Sequence, residues 1–386
     1  MRGLTKAALG SVLVLVLGAT EASAKVYVEF RPRMSLMGGY DDNVQLNGAG
    51  GDAFGQAVPG LKLDVFGEHD LHLDLDCQAG LARLAHPQEF GISSGAFAAN
   101  ETCLMGTRLK LDDRDKLTLH VRATYAQDPF SIAGLGLLLR PGQTQIFVGG
   151  FNGEEVHALS SHTEVQFGLD TYTLLFGAGD PANGYMLAPR IAYAWKTSAR
   201  SKWDLGFREQ LFFSVANGML DQAHAGMLGY TYALAPWANL NVRGGAVGIT
   251  GKSDALQPVL RFQIESYTPT TAISVLAAHD LVIGPSSAGP LMADLAEVGV
   301  IQDWEHFQLH GRLGIYRNSD AFRVWNAPLG TVGYGGEAGA AVKFTRDLRI
   351  EVAAMRDARL SDPGTAALVD RDVMQVRLVW EKARFE

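Results

Sequence analysis

Few residues in this chain stand at spacings that could do chemistry. His306 and His310 have the HxxxH spacing, which brings two imidazoles onto one metal only on a helix. On a strand they would lie roughly 13 Å apart, at ~3.3 Å per residue, too far to share an ion. No Glu follows His306. His157 and His162 are five residues apart, so on one strand they would face opposite ways. The concentrated group is His72 with Asp74 and Asp76 on one strand face, joined by His120 on a later strand. A hydrolase built there would need a serine or a metal beside it, and the sequence places neither. The reading is therefore not an enzyme, with no cofactor and no metal site.

The elements that would carry these residues are strands. Leu71, Leu73, Leu75, Cys77, Ala79 and Leu81 alternate with His72, Asp74, Asp76 and Gln78. Leu117, Leu119, Val121, Ala123 and Tyr125 alternate with Thr118, His120, Arg122 and Thr124. The same period of two recurs around Arg261, around Arg349 and from Met374 to Trp380. Helical spacing does not give this pattern. It predicts strands at 25–39, 57–66, 70–84, 101–111, 116–126, 154–168, 171–179, 187–196, 202–214, 223–233, 237–249, 257–267, 271–282, 293–302, 307–317, 331–344, 347–359 and 372–383.

The first 24 residues read as a cleaved signal peptide: Arg2 and Lys6, an apolar run from Ala7 to Thr20, then Ala22-Ser23-Ala24, with Lys25 the first mature residue. Beyond it no apolar run approaches the ~20 residues of a membrane helix. The formal net charge is −8, which disfavours a nucleic-acid partner. Near-neutral hydropathy, 44 glycines and scattered charge suit strands with one apolar and one polar face.

The connections fix the architecture. Tight links such as Gly67-Glu68-His69 and Asp112 to Asp115 alternate with long ones such as 40–56, 85–100 and 127–153. Alternating short turns and long loops is the habit of a transmembrane antiparallel up-and-down β-barrel of about 18 strands, here spanning residues 25–386, in the outer membrane of a Gram-negative bacterium. Trp195, Trp203, Trp237, Trp304 and Trp380, with Phe66, Tyr267, Phe307 and Phe344, gather at the short-turn end or the C-terminus, as a periplasmic aromatic girdle would. One alternation breaks: Glu209 falls on an apolar face, and a bulge would shift the phase and withdraw it from lipid.

If apolar faces meet lipid, the opposite faces line a lumen. The candidate pore-lining residues are Arg122, Arg190, Arg243, Arg261, Glu265, Arg312, Glu337, Arg349, Glu351 and Arg377. Their charges nearly balance, which hydrates a bore without strongly selecting one sign. The loop 127–153 is the candidate constriction, with Leu135 and Leu138 in its apolar segment; folded into the bore, it would set Arg140 facing the passage, and the alternative is a strand that projects beyond the membrane. Cys77 and Cys103 share apolar parity on consecutive strands. The favoured reading is two small side chains facing lipid; the alternative is a disulfide, which the oxidising periplasm permits.

Gly39-Tyr40-Asp41-Asp42-Asn43-Val44, then Gly50-Gly51-Asp52-Ala53-Phe54, then Val58-Pro59-Gly60-Leu61-Lys62-Leu63, resembles the opening of outer-membrane, porin-like barrels of bacterial exopolysaccharide export systems. The resemblance implies passage of a secreted polysaccharide, handed over by a periplasmic polysaccharide-export protein. The last strand, with Trp380 and Phe385, resembles the signal read by the barrel-assembly machinery, although Glu386 follows the terminal aromatic. The expected function is an outer-membrane channel for polysaccharide export. The alternative is a general or solute-specific uptake porin, because transport direction leaves no mark on a strand.

Overall fold

In the computed structural model, described over residues 26–43, 50–68, 70–86, 97–126, 146–175, 183–215, 218, 220–250, 255–283, 290–320, 330–360 and 369–382, the chain is one 18-stranded sheet. The strands are β1 (Tyr27–Asp41), β2 (Asp52–Phe66), β3 (His72–Leu84), β4 (Phe97–Lys110), β5 (Asp115–Ala126) and β6 (Ile146–Ala158). Next come β7 (Thr163–Leu175), β8 (Gly184–Lys196), β9 (Ser201–Ser214), β10 (Leu220–Ala235), β11 (Ala238–Thr250) and β12 (Ala255–Tyr267). The last six are β13 (Thr271–Ile283), β14 (Pro290–Asp303), β15 (Phe307–Asp320), β16 (Gly330–Lys343), β17 (Leu348–Leu360) and β18 (Val369–Glu381). Each strand pairs antiparallel with its neighbours in sequence, and β1 pairs with both β2 and β18, so the sheet closes on itself. Closure gives every strand a partner on both sides over at least part of its length. The expected fold class is the one observed. The expected signal peptide, residues 1–24, lies outside the described residues.

Alternation sorts the side chains as expected. Leu205, Phe207, Leu260, Val298, Leu313, Ile315, Val352, Met374 and Val376 are exposed on the outer face. So wide an apolar exterior would aggregate in water and is stable against lipid. At the turn end, Trp195 stands opposite Trp203 in register, Trp203 packs on Tyr230, and Trp237, Trp304 and Trp380 are exposed. Phe66 departs from the expected girdle: it falls on the inner parity and stacks on His72 at 4.6 Å. Among the tight turns, Asp112 closes the one between β4 and β5. Its carboxylate accepts the backbone N–H groups of Arg114 and Asp115 at 2.6 and 2.8 Å, which holds its pKa below the usual value.

The structure decides three local points. The strand expected at 154–168 contains a turn. Ser160 and Thr163 close it, with Ser160 Oγ accepting the N–H groups of His162 and Thr163, so β6 begins at Ile146 and β7 ends at Leu175. Residues 146–153 of the expected constriction loop are therefore wall, while Leu135, Leu138 and Arg140 lie outside the described residues. His157 stays on a strand, where Nδ1 meets Asp115 at 2.5 Å, and His162 sits in the turn.

The second concerns Glu209, where the sequence left a bulge open. The registers of β9 against β8 and β10 run without a shift, so there is no bulge, and Glu209 stays on the outer face opposite His224. It stands eight residues above the start of β9, roughly 20 Å up a tilted strand, near the outer edge of an apolar band ~25 Å tall. A carboxylate there reaches the polar boundary without a phase change.

The third is the cysteine pair. Register sets Cys77 directly opposite Cys103, and the two form a disulfide rather than facing lipid as separate thiols. The bond spans 26 residues, including the link between β3 and β4. By the chain-entropy argument such a closure stabilises by about 3 kcal/mol. Replacing both cysteines with alanine is expected to lower the urea midpoint of the refolded barrel by that order. An unchanged midpoint would mean the closed ladder already supplies the constraint.

Candidate functional site

The inner face is built from charges that reach across a small residue. Arg190 on β8 spans Gly168 on β7 to meet Glu154 on β6 at 2.9 Å, and the three lie in one register row. Arg243 on β11 spans Gly229 on β10 toward Asp204 on β9 at 3.7 Å, again in one row. Lys202 on β9 reaches Glu164 on β7 at 2.9 Å, and Arg33 on β1 reaches Asp76 on β3 at 3.0 Å. Each bridge covers two ladder spacings, roughly 9.5 Å, which long side chains on a concave wall can do if nothing stands between them. Glycine meets that condition. A Cβ on Gly168 would run into the Arg190 side chain, and one on Gly229 into the Asp204 carboxylate.

All ten expected pore-lining residues lie on the inner parity, and their partners divide them. Arg190, Arg243, Arg312, Arg349 and Arg377 have carboxylates: Arg312 is bidentate to Glu297 at 2.8 and 2.7 Å, and Arg349 and Arg377 share Glu351 at 2.6 and 3.6 Å. Glu337 meets His310 at 3.5 Å, and Glu265 accepts from Gln263 at 2.6 Å. Of the expected pore-lining residues, two guanidinium groups have no carboxylate partner among the described residues. Arg261 donates to Gln263 at 3.3 Å, and Arg122 donates to Thr124 at 3.4 Å. His72, Asp74 and Asp76 are not one group: His72 meets Asp64 at 3.3 Å, Asp76 holds Arg33, and Asp74 lies over Gly106.

Toward the loop end the wall is not a simple cylinder. The β12–β13 ladder stops at Leu260 opposite His279, although β12 runs back to Ala255 and β13 on to Ile283. Each strand keeps its other partner to the tip: β12 pairs with β11 as far as Ala255, and β13 with β14 as far as Ile283. At the split, His279 Nδ1 and Asp294 Oδ1 stand 2.6 Å apart on adjacent strands. Beyond it Leu291, Met292 and Ala293 are 3, 2 and 4% exposed, so both faces of this strand end are buried. Leu281 and Met292 pack with Phe212, Ala223, Ala225, Val247, Ile249 and Val259, which line the inner face of β9–β12. Asp280 receives two hydrogen bonds from Arg208, at 2.7 and 3.4 Å. Arg208 is four strands away, roughly 19 Å along the wall at ~4.8 Å per strand, beyond the reach of two side chains. The loop-end halves of β13 and β14 therefore lean into the lumen, their outer side against the inner wall of β10–β12.

No protein-family model matches the sequence, and no curated protein matches it. Solved structures with a similar course include Pseudomonas aeruginosa OccK2 (OpdF) in complex with glucuronate, at 9% identity over 94% of this chain and 99% of that one, with a TM-score of 0.48. A BenF-like porin from Pseudomonas fluorescens Pf-5 matches at 8% identity over 93% and 99%, with a TM-score of 0.48. Pseudomonas aeruginosa OpdK with vanillate matches at 8% identity over 92% and 98%, with a TM-score of 0.46. At these identities the likeness is one of architecture.

Sequence reasoning missed Arg208, Asp204 and Asp280. Arg208 and Asp204 sit on β9, where Glu209 confuses the phase, and Asp280 meets Arg208 only because two strands lean. The run Ala278, Asp280 on the inner parity of β13 was the available signal. The glycine rows give a sharper test. Gly229→Val is expected to displace Asp204 and cost about 1–3 kcal/mol, the usual penalty for overpacking. Gly226→Val, on the outer parity of the same strand with open space around it, is expected to be nearly neutral. The temperature at which the folded band converts to the unfolded band on a gel reads both. Equal shifts for the two would remove the crossing-over account of Gly229.

Proposed function

We propose that this chain is an outer-membrane channel for small polar solutes, with a preference for anions. The observation that carries the reading is the division of the inner arginines: most are neutralised within the wall, and Arg122 and Arg261, with Arg108 on the same face of β4, have no carboxylate partner among the described residues and offer positive charge to the passage. A guanidinium fork matches a carboxylate or phosphate in two hydrogen bonds, so such groups would hold an anionic solute briefly as it moves along the wall. The apolar outer face is the surface that outer-membrane lipid would cover, and the barrel-assembly machinery is the partner such a chain needs to reach it.

Polysaccharide export is the weaker reading. A hydrated polymer needs a bore kept wide along its length, and the leaning ends of β13 and β14 take space from the lumen. The Tyr40-Asp41-Asp42-Asn43 segment behind the export resemblance also has a local task, because Asp41 and Asn43 bind β18 across the barrel seam. A segment with that task need not carry the family's function.

Reconstitution in planar bilayers under a salt gradient tests the proposal. The mature protein should conduct, with a reversal potential on the anion side, and Arg122→Glu with Arg261→Glu should shift it toward cations. No conductance sinks the channel. Conductance with an unmoved reversal potential sinks the role of the two arginines. Loss of surface polymer on gene deletion, with solute uptake intact, would restore the export reading.

A further inference from the structure

We propose that the loop-end halves of β13 and β14 are a gate with two seats, one in the lumen and one in the wall. The inference rests on the channel reading. The lumen seat is the observed one: Leu281 and Met292 on the apolar inner wall, with Asp280 on Arg208. The wall seat is written in the register. The β12–β13 ladder pairs residues such as Leu260 with His279 and Phe262 with Ala277. Continued without a shift, it would set Val259 opposite Asp280, Pro258 opposite Leu281, Gln257 opposite Val282 and Leu256 opposite Ile283. Both edges are already extended strand, so closing the seam needs no new secondary structure.

The sequence also accounts for the seam parting here. Pro258 has no N–H to give to a ladder and is tolerated where a strand is an edge for part of its length. β12 is an edge from Ala255 to Val259 when the seam is open. An open seam leaves backbone groups of both edges without each other, a cost inside a membrane wall. In the lumen seat, apolar packing and the Arg208–Asp280 pair offset that cost. In the wall seat the ladder bonds return, apart from any that Pro258 would have to donate, and those contacts are lost. The exchange is between two discrete arrangements, which is what a gate requires. In the wall seat the lumen widens by the thickness of the withdrawn strands, and Arg208 is freed to face the passage.

Two cysteine locks test the gate in the full mature chain, inserted in the outer membrane and then reconstituted. Arg208→Cys with Asp280→Cys, joined by a reducible bifunctional thiol reagent long enough to replace the guanidinium reach, fixes the lumen seat. Gln257→Cys with Val282→Cys stand opposite each other in the continued ladder and so report the wall seat, and their cross-link is read on a gel without any transport measurement. Both pairs are expected to cross-link. The 257–282 lock should raise single-channel conductance severalfold over the parent and return to parent on reduction, and the 208–280 lock should hold the lower level. The parent, carrying only Cys77–Cys103, is run with and without reductant as control. Asp280→Asn, which needs no lock, should lengthen the high-conductance periods. A 208–280 cross-link with no trace of 257–282 overturns the gate, as does equal conductance in the two locked forms. Cross-linking of both pairs in a protein that never conducts would leave the two seats standing and remove the channel instead.

Discussion

Leu313→Arg is expected to destabilise the barrel by about 2–4 kcal/mol, while Arg312→Gln, one residue away, is expected to cost about 1 kcal/mol or less. Leu313 is 62% exposed on the outer face, midway along β15, beside Val298 and Ile315. An arginine there must put its guanidinium into hydrocarbon or bend it far along the strand to reach a boundary. Arg312 already faces the lumen and pairs with Glu297 where water competes for both partners. Removing it leaves a carboxylate that water can solvate. Urea unfolding in lipid vesicles reads both variants. The asymmetry, rather than either value alone, measures which side of the strand meets lipid. Equal costs at 312 and 313 would contradict the assignment of inside and outside.

That assignment was legible in the sequence because it depends on neighbours one and two residues apart. Period-two alternation at Leu71 to Leu81 and at Met374 to Trp380 needs no tertiary information, and alternating link lengths follow from strands that all cross one layer. Boundaries were harder where glycine and serine blur the pattern. Gly149, Gly150 and Gly153 look like loop but lie in β6, and the turn at Ser160 to His162 hides between two apolar stretches that keep the same phase. Features set by residues far apart in the chain were not legible. Gly168 gives no sign that Arg190 lies across it, and nothing near Asp280 announces Arg208. The disulfide stood between: equal parity on consecutive strands allowed it, and only the register of β3 against β4 decided it. The motif Tyr40-Asp41-Asp42-Asn43 was visible as a pattern, but its physical role required knowing that β1 meets β18.

That role leads to the largest expected effect. Asp41→Ala should destabilise the barrel by about 3–5 kcal/mol, the range for breaking a buried ion pair by removing one partner. Asp41 and Arg371 are each 5% exposed, and Arg371 Nε donates to Asp41 at 2.8 Å, with a second bond from Nη2. Around them Asn43 donates to the Asp370 carbonyl at 2.8 Å, and Asp42 accepts the Asp372 N–H at 2.7 Å. These contacts clasp the loop end of the one seam where strands far apart in sequence must meet, and that seam has nine register pairs against fifteen for β1 with β2. Alanine would take from the buried Arg371 guanidinium the carboxylate that both its Nε and Nη2 reach. Asp41→Leu combined with Arg371→Met should recover much of the loss, because the buried charge is removed together with the carboxylate that held it. If the double variant is as unstable as Asp41→Ala, the cost lies in the lost seam contacts themselves rather than in a stranded charge. If Asp41→Ala unfolds at the parent's midpoint, the seam is held by its ladder alone and the clasp contributes little.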